Sequence, residues 1–197
     1  MQQHIQRFSC LATKSFLFTQ EPKWIENRPG IRHCLPENVQ SWTYEPGSLT
    51  QRLRNFYGNT VTVKILFHQW RTPFLSERRL LRLPEHGYNL TREVLLHANG
   101  KPLILARTII PAKTIKVAHR NLSHLGTRPL GEVIFSYPKL ERLEMDVTLI
   151  EPAAWSPSAI DEAGINQPIW GRRTIYAIRH QQMLVSEFFL PGVLEIM

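Results

Sequence analysis

The dipeptide Asn99-Gly100 constrains the fold most tightly, because it lies between two runs of strand-forming residues. Asn-Gly in this setting is the strongest local signal for a two-residue hairpin turn. If these residues form the turn, Ala98 pairs with Lys101, and counting outwards places Arg92 opposite Arg107. The sequence therefore predicts a long antiparallel hairpin that carries two arginines on one face.

The predicted arginine pair shares its sheet face with apolar side chains, namely Val94, Leu96, Leu103 and Leu105. Like charges directly opposite each other destabilise a sheet. A pair in this position needs an anion, which is either a protein carboxylate or a ligand. The alternative is that both arginines reach solvent at the open end of the hairpin.

Patterns elsewhere predict more strands and a few short helices. The strands alternate apolar and polar residues and cover 60–70, 143–150, 174–178 and 183–190. The last two form a second hairpin that turns near His180 and Gln181. The helices show apolar residues at helical spacing and cover 48–57, 77–81, 112–125 and a segment that starts at about Pro129.

Antiparallel hairpins with short helices indicate an α+β protein and not a doubly wound parallel sheet. At 197 residues the chain is expected to form one domain, residues 41–197, preceded by an extended arm over 1–40 with a short helix near 5–11. Proline and glycine punctuate residues 151–168, which are expected to form a loop.

The net charge of +8 is compatible with either nucleic acid or a small anionic substrate. The basic residues are dispersed and match no nucleic-acid-binding motif, so we expect no nucleic-acid partner. No apolar run approaches the roughly 20 residues needed to cross a bilayer. The N-terminus lacks the sustained apolar stretch of a signal peptide, so we expect a cytoplasmic protein. We also expect it to be a monomer.

Several residues outside the first hairpin are candidates for a binding site. A helix that starts near Pro129 leaves the N–H groups of Leu130 and Gly131 without helical acceptors, which suits an anion, although an ordinary capped helix has the same pattern. Glu187 interrupts an apolar strand, so it either faces solvent on an open face or is buried and paired. The spacing of Leu49 favours a core position over a ligand contact.

Motifs for nucleotide cofactors, for a serine nucleophile and for metal ligation are absent from the sequence. The two cysteines, Cys10 and Cys34, have no metal-ligand spacing. We therefore expect neither a metal nor a cofactor, and a site for a small anion is the chemistry that the remaining candidates support.

Four segments together resemble the chorismate lyase family. They are 47–50, the hairpin from 90 to 111, the segment 125–131, and 170–173 followed by 186–191, and they occur in the family's order. The resemblance implies a curved antiparallel sheet with helices that form flaps over a buried site. It also implies cofactor-independent removal of pyruvate from chorismate to give 4-hydroxybenzoate, the first committed step towards ubiquinone in bacteria.

The family's site residues match positions of this chain one by one. Arg92 matches the ligand-contacting arginine, Leu130 the backbone contact, and Glu187 the glutamate near the product hydroxyl. Leu49 stands where methionine is frequent, Arg128 replaces a threonine of some members, and the segment 150–168 is an atypical insert. The resemblance thus implies a ring carboxylate bound by Arg92, Leu130 and Gly131.

Arg107 is assigned, from the predicted register, either to the enolpyruvyl carboxylate or to Glu187. Glu187 acts either as a base on the ring C–H or only as a holder of the hydroxyl. The alternative function is a non-catalytic sensor of small aromatic acids, because a related sheet forms the effector domain of some bacterial regulators. Such regulators carry a winged-helix domain upstream, for which about 40 residues are too few.

Overall fold

A seven-stranded antiparallel sheet forms the centre of the protein, in a computed structural model that describes residues 14–118 and 122–196. In the described residues the strand order is β1-β5-β6-β7-β4-β3-β2. The strands are β1 (Ile25–Glu26), β2 (Val61–Arg71), β3 (Asn89–Ala98), β4 (Lys101–Ile110), β5 (Glu141–Ile150), β6 (Ile169–Ile178) and β7 (Gln181–Phe189). The sheet is curved, and the predicted α+β class and both predicted hairpins are confirmed.

Short helices connect the strands and cover the faces of the sheet. They are α1 (Glu37–Thr43), α2 (Leu49–Tyr57), α3 (Leu75–Leu80), α4 (Ala112–Val117), α5 (Leu130–Ile134), α6 (Pro157–Ala163) and α7 (Pro191–Leu194). Single 3₁₀ turns lie at Ile31–Cys34, Gly58–Thr60 and Pro152–Ala154. None of the helices in the described ranges is both long and apolar enough to cross a membrane.

The register of the first hairpin differs from the predicted one by a single residue. Ala98 pairs with Lys101 as predicted, but Leu103 forms a bulge, so Leu96 pairs with Ile104. Beyond the bulge Glu93 pairs with Arg107, whereas Arg92 has another partner. The prediction that the two arginines face each other is wrong, because one extra residue moves every later side chain of a strand to the opposite face.

The carbonyl of the bulged residue has a partner outside the β3–β4 ladder. Leu103 accepts a hydrogen bond from the backbone N–H of Leu190 at 3.0 Å, just before helix α7. The Leu103 side chain is fully buried. Packing with a segment almost 90 residues away thus stabilises the bulge, and the local sequence of the hairpin does not reveal it.

Apolar side chains pack on both faces of the sheet. One face, called here the cavity face, packs against α1, α2 and α5 and includes Val94, Leu96 and Ile104. The other, called the back face, packs against α6 and the segment 15–18 and includes Leu95 and Leu105. A core on both faces explains why the β3 and β4 sequences are apolar at almost every position.

The N-terminal part contributes to both layers. Ser15 and Leu17 are buried against the back face, while Leu35 and Val39 belong to the core beside the cavity face. Helix α1 spans residue 40. The predicted helix near 5–11 lies outside the described residues.

Two other boundaries differ from the predicted ones. Residues 151–168, predicted as a loop, contain the 3₁₀ turn Pro152–Ala154 and helix α6, whose first turn is capped by Ser156 accepting a bond from Ala159 N–H. Helix α4 ends at Val117, before the predicted end at 125. Ser156 followed by Pro157 is a typical start of a helix. The sequence did not predict helix α6, because the surrounding prolines and glycines are typical of loops.

Candidate functional site

A cavity lies between the cavity face and the two covering helices α2 and α5. Its floor comes from β3, β4, β6 and β7, and its roof from the first turns of the two helices. Five of the predicted site residues line this cavity together: Leu49, Arg92, Leu130, Gly131 and Glu187. Arg107 does not line it, because the bulge at Leu103 places that arginine on the back face.

Arg92 is a buried cation that has no counter-charge among the described residues. Only 2% of its surface is exposed, and its Nη2 donates to the carbonyl oxygens of Gly126 at 3.0 Å and Arg128 at 3.1 Å. Within residues 14–118 and 122–196 it pairs with no carboxylate, and its Nε has no hydrogen-bond partner. Burial therefore lowers the pKa of Arg92 to about 10. An anionic ligand would compensate this charge.

The roof of the cavity depends on close contact between the two covering helices. Ser48 caps α2 by accepting a hydrogen bond from Gln51 N–H at 3.3 Å, as the sequence predicts. A Cβ atom at Gly131, in the first turn of α5, would lie 2.5 Å from Ser48 Oγ, so a larger residue there would force the Ser48 hydroxyl out of its capping position. Arg54 and Glu132 form an ion pair that also joins them.

The first turn of α5 lines the cavity. The helix begins at Leu130, one residue after the predicted start, with Pro129 as its N-cap. N–H groups in a first helical turn have no intrahelical acceptor. Leu130 and Gly131 both line the cavity. They directly follow the segment 126–128, whose carbonyl oxygens accept the hydrogen bonds from Arg92.

Glu187 is partly buried and paired, which decides between the two alternatives left open by the sequence. Its side chain is 16% exposed, and its Oε2 accepts a hydrogen bond of 2.7 Å from Arg172 Nε. The two residues face each other in the β6–β7 ladder. The prediction that Arg107 is a possible partner of Glu187 is wrong, since Arg172 takes that position.

Arg172 is held firmly beside Glu187. It is 1% exposed, and its Nη1 donates to the carbonyl oxygens of Thr43 at 2.9 Å and Glu45 at 3.0 Å, with a longer contact to Trp42. It lines the cavity on the same face as Arg92. A neighbouring phenol, Tyr176, also lines the cavity, and burial and then Glu187 raise its pKa, so it stays neutral.

Arg107 lies in a separate charged cluster on the back face. Its guanidinium donates to both carboxylate oxygens of Glu77, at 2.7 and 2.9 Å, and to Glu93 at 2.6 Å. Glu93 also accepts bonds from Ser15 Oγ and the Phe16 N–H, both at 2.5 Å. Burial lowers the pKa of Arg107, but the two carboxylates outweigh this and raise it. The cluster attaches the N-terminal segment to the sheet.

Sequence analysis missed Arg172 as a site residue, although a signal was available. The second hairpin turns at Arg179-His180, both with positive φ, so Ile178 pairs with Gln181. Counting back from that pair leads directly to Arg172 opposite Glu187. The predicted turn was one residue late because Arg-His lacks the asparagine and glycine typical of such turns.

Comparison with known proteins places the whole of this architecture in one family. A family model described as chorismate lyase matches residues 22–195. A probable chorismate pyruvate-lyase of Methylococcus capsulatus is 40% identical over 158 residues, covering 80% of this chain and 98% of the relative. Another, from Aromatoleum aromaticum, is 32% identical over 177 residues, covering 88% and 94%.

Solved structures share the fold at low sequence identity. The effector domain of PhnF from Mycobacterium smegmatis superposes with a TM-score of 0.54 at 13% identity, covering 74% of this chain and 90% of that domain. A PhnF C-terminal domain gives a TM-score of 0.53 at 14% identity, covering 66% and 83%. At this identity the likeness concerns the fold alone.

Proposed function

The chain belongs to the chorismate lyase family, and on that premise we propose that it removes pyruvate from chorismate to give 4-hydroxybenzoate. We place the reaction in the cytoplasm, in a monomer that uses neither metal nor organic cofactor, and at the start of ubiquinone synthesis. The named relatives favour this activity over a sensor of aromatic acids.

The observation that carries the proposal is the charge of Arg92 inside the cavity, which no carboxylate of the described residues compensates. A buried arginine without a carboxylate is costly unless a ligand supplies the anion. The ring carboxylate of chorismate would accept charge-assisted hydrogen bonds from Arg92 and from the N–H of Leu130, with Gly131 beside it. Leu49 would pack against the ring, because it is buried and lines the same cavity.

The reaction is an elimination driven by aromatisation of the ring. The bond between the ring carbon and the ether oxygen breaks, and enolpyruvate leaves with that electron pair. The neighbouring ring carbon, which bears the hydroxyl, loses its hydrogen as a proton, and the C–H electrons complete the aromatic ring. Enolpyruvate gains a proton at its methylene carbon and becomes pyruvate.

Glu187 is proposed to lie at the hydroxyl end of the ring. In one form of the mechanism it takes the ring proton as a base. In the other form the enolpyruvyl group takes that hydrogen in a concerted step, and Glu187 only holds the hydroxyl. In both forms positioning and the fixed charges of a dry cavity lower the barrier.

The test is to incubate the purified protein with chorismate in the presence of EDTA and to follow both products by chromatography. Equimolar 4-hydroxybenzoate and pyruvate are expected. Untouched chorismate, with a melting temperature raised by 4-hydroxybenzoate, would identify a binding protein and refute the lyase assignment.

Two substitutions test the assigned site. Arg92→Ala is expected to raise KM and lower kcat with the fold intact, and unchanged kinetics would contradict its role. Glu187→Gln is expected to lower kcat, and wild-type turnover would exclude a base. Arg28 and Glu26 form a matched surface ion pair, so Arg28→Ala and Glu26→Gln serve as controls expected to leave both constants unchanged.

A further inference from the structure

A second buried cation lines the cavity at the end away from the contacts of Arg92. The three nitrogens of Arg172 have different environments: Nε donates to Glu187, and Nη1 donates to backbone carbonyls. Its Nη2 forms no hydrogen bond with any described residue, although the side chain is 99% buried and lines the cavity. An unpaired donor on a buried cation leaves room for one more acceptor.

The excess charge around this arginine is larger than Glu187 can balance. Arg142 lies next to Arg172, since both donate to the carbonyl oxygen of Glu45, each at 3.0 Å. Burial lowers the pKa of Arg142, which forms no ion pair within the described ranges. Glu45, the other carboxylate beside Arg142, pairs with Arg52 at 3.4 Å. Among the described residues, Arg92, Arg142 and Arg172 at the cavity and its edge are therefore balanced only by Glu187, so two positive charges remain.

Chorismate is a dianion, whereas 4-hydroxybenzoate retains only the ring carboxylate. The second carboxylate belongs to the enolpyruvyl ether, which is attached to the ring carbon next to the one that bears the hydroxyl. If Glu187 lies at the hydroxyl, Arg172 Nε, 2.7 Å from its carboxylate, lies beside the enolpyruvyl group. The charge of the substrate thus matches the excess charge of the site.

We propose that Arg172 binds the enolpyruvyl carboxylate through Nη2 while its Nε orients Glu187. The inference rests on the proposed lyase function and assigns to Arg172 the role that the sequence had suggested for Arg107. It also gives the site a means of distinguishing substrate from product. Arg92 contacts a carboxylate that both ligands carry, whereas Arg172 contacts one that is lost in the reaction.

The test compares two constants in the same variant: the KM for chorismate and the inhibition constant of 4-hydroxybenzoate. Arg172→Gln is expected to raise KM by at least about tenfold, the value of one charge-assisted hydrogen bond, while the inhibition constant changes less than about threefold. Arg172→Lys is expected to recover part of the loss, because it keeps the charge but not the planar fork. Arg92→Lys is expected to raise both constants together.

Arg173 provides a matched control. It is the next residue along β6, faces the back of the sheet and pairs with Asp146 at 2.8 Å, so Arg173→Gln is expected to leave the ratio of the two constants unchanged. Equal increases of KM and of the inhibition constant in Arg172→Gln would overturn the proposal, because they would show that Arg172 only orients Glu187. An unchanged KM would overturn it as well.

A measurement on the wild-type protein covers the case in which Arg172 variants fail to fold. 3-(Carboxymethoxy)benzoate is expected to inhibit at least about tenfold more strongly than its amide analogue 3-(carbamoylmethoxy)benzoate, because both carry the ring carboxylate but only the former carries the second one. Equal inhibition would refute the second anion site. Absence of turnover in the wild-type protein would instead refute the lyase function itself, so the two failures are distinguishable.

Discussion

Replacing Arg92 with methionine is expected to stabilise the ligand-free protein while abolishing its activity. Burial lowers the pKa of Arg92 from its ordinary value of 12.5 to about 10. This shift corresponds to about 3 kcal/mol against the charged form at neutral pH, since a tenfold change in proton affinity is worth about 1.4 kcal/mol. Methionine fills a similar volume without a charge.

Two losses offset this gain. The carbonyl oxygens of Gly126 and Arg128 lose their donor in the Arg92→Met variant, at about 1 kcal/mol for each bond. The net result is a free energy of unfolding about 1 kcal/mol higher than that of the wild type. For a chain of this length the melting temperature should rise by about 2–4 °C.

Urea unfolding of ligand-free protein at pH 7 measures the effect, and Arg107→Met is the matched control. Arg107 is equally buried, but it neutralises Glu77 and Glu93. Its loss leaves two buried carboxylates unpaired and should cost about 3–5 kcal/mol. The same substitution on adjacent strands should therefore change stability in opposite directions. An Arg92→Met protein more than about 1 kcal/mol less stable than the wild type would refute the account of Arg92 as an uncompensated charge.

Three further predictions concern the roof, the pH dependence and the back face. Gly131→Ala should lower kcat/KM by about tenfold in steady-state assays, because its Cβ would lie 2.5 Å from Ser48 Oγ and displace the hydroxyl that caps the covering helix α2. Unchanged kinetics would show that the contact can relax. Since only protonated Arg92 binds a carboxylate and its pKa is about 10, kcat/KM for chorismate should be level from about pH 7 to about pH 9 and fall above about pH 10. A level profile to pH 11 would contradict this. Glu93→Gln should lower the free energy of unfolding by about 2–4 kcal/mol, because the amide cannot accept all the hydrogen bonds that the carboxylate accepts. It should also speed limited proteolysis near Ser15. Protection equal to that of the wild type would show that the cluster does not attach the N-terminal segment.

Local sequence signals identified most of the architecture. Asn99-Gly100 located the turn of the first hairpin, since few residues other than asparagine and glycine adopt the positive φ values found there. Ser48 located the start of α2, because a serine hydroxyl satisfies a free backbone donor of the first turn. Arg92 and Glu187 were recognisable as unusual because charged residues interrupt apolar strands there.

The sequence by itself determined the hairpins and the α+β class, because these depend on turn chemistry and alternation within a few residues, and it singled out five of the residues that line the cavity. Only the tertiary structure decided which arginine belongs to the site. The bulge at Leu103 depends on a bond to Leu190, and it sends Arg107 to the back face. The arginine beside Glu187 is Arg172, which pairs with it between strands β6 and β7. Strand alternation has a period of two, so a single inserted residue, stabilised from far along the chain, reverses the assignment of every side chain beyond it.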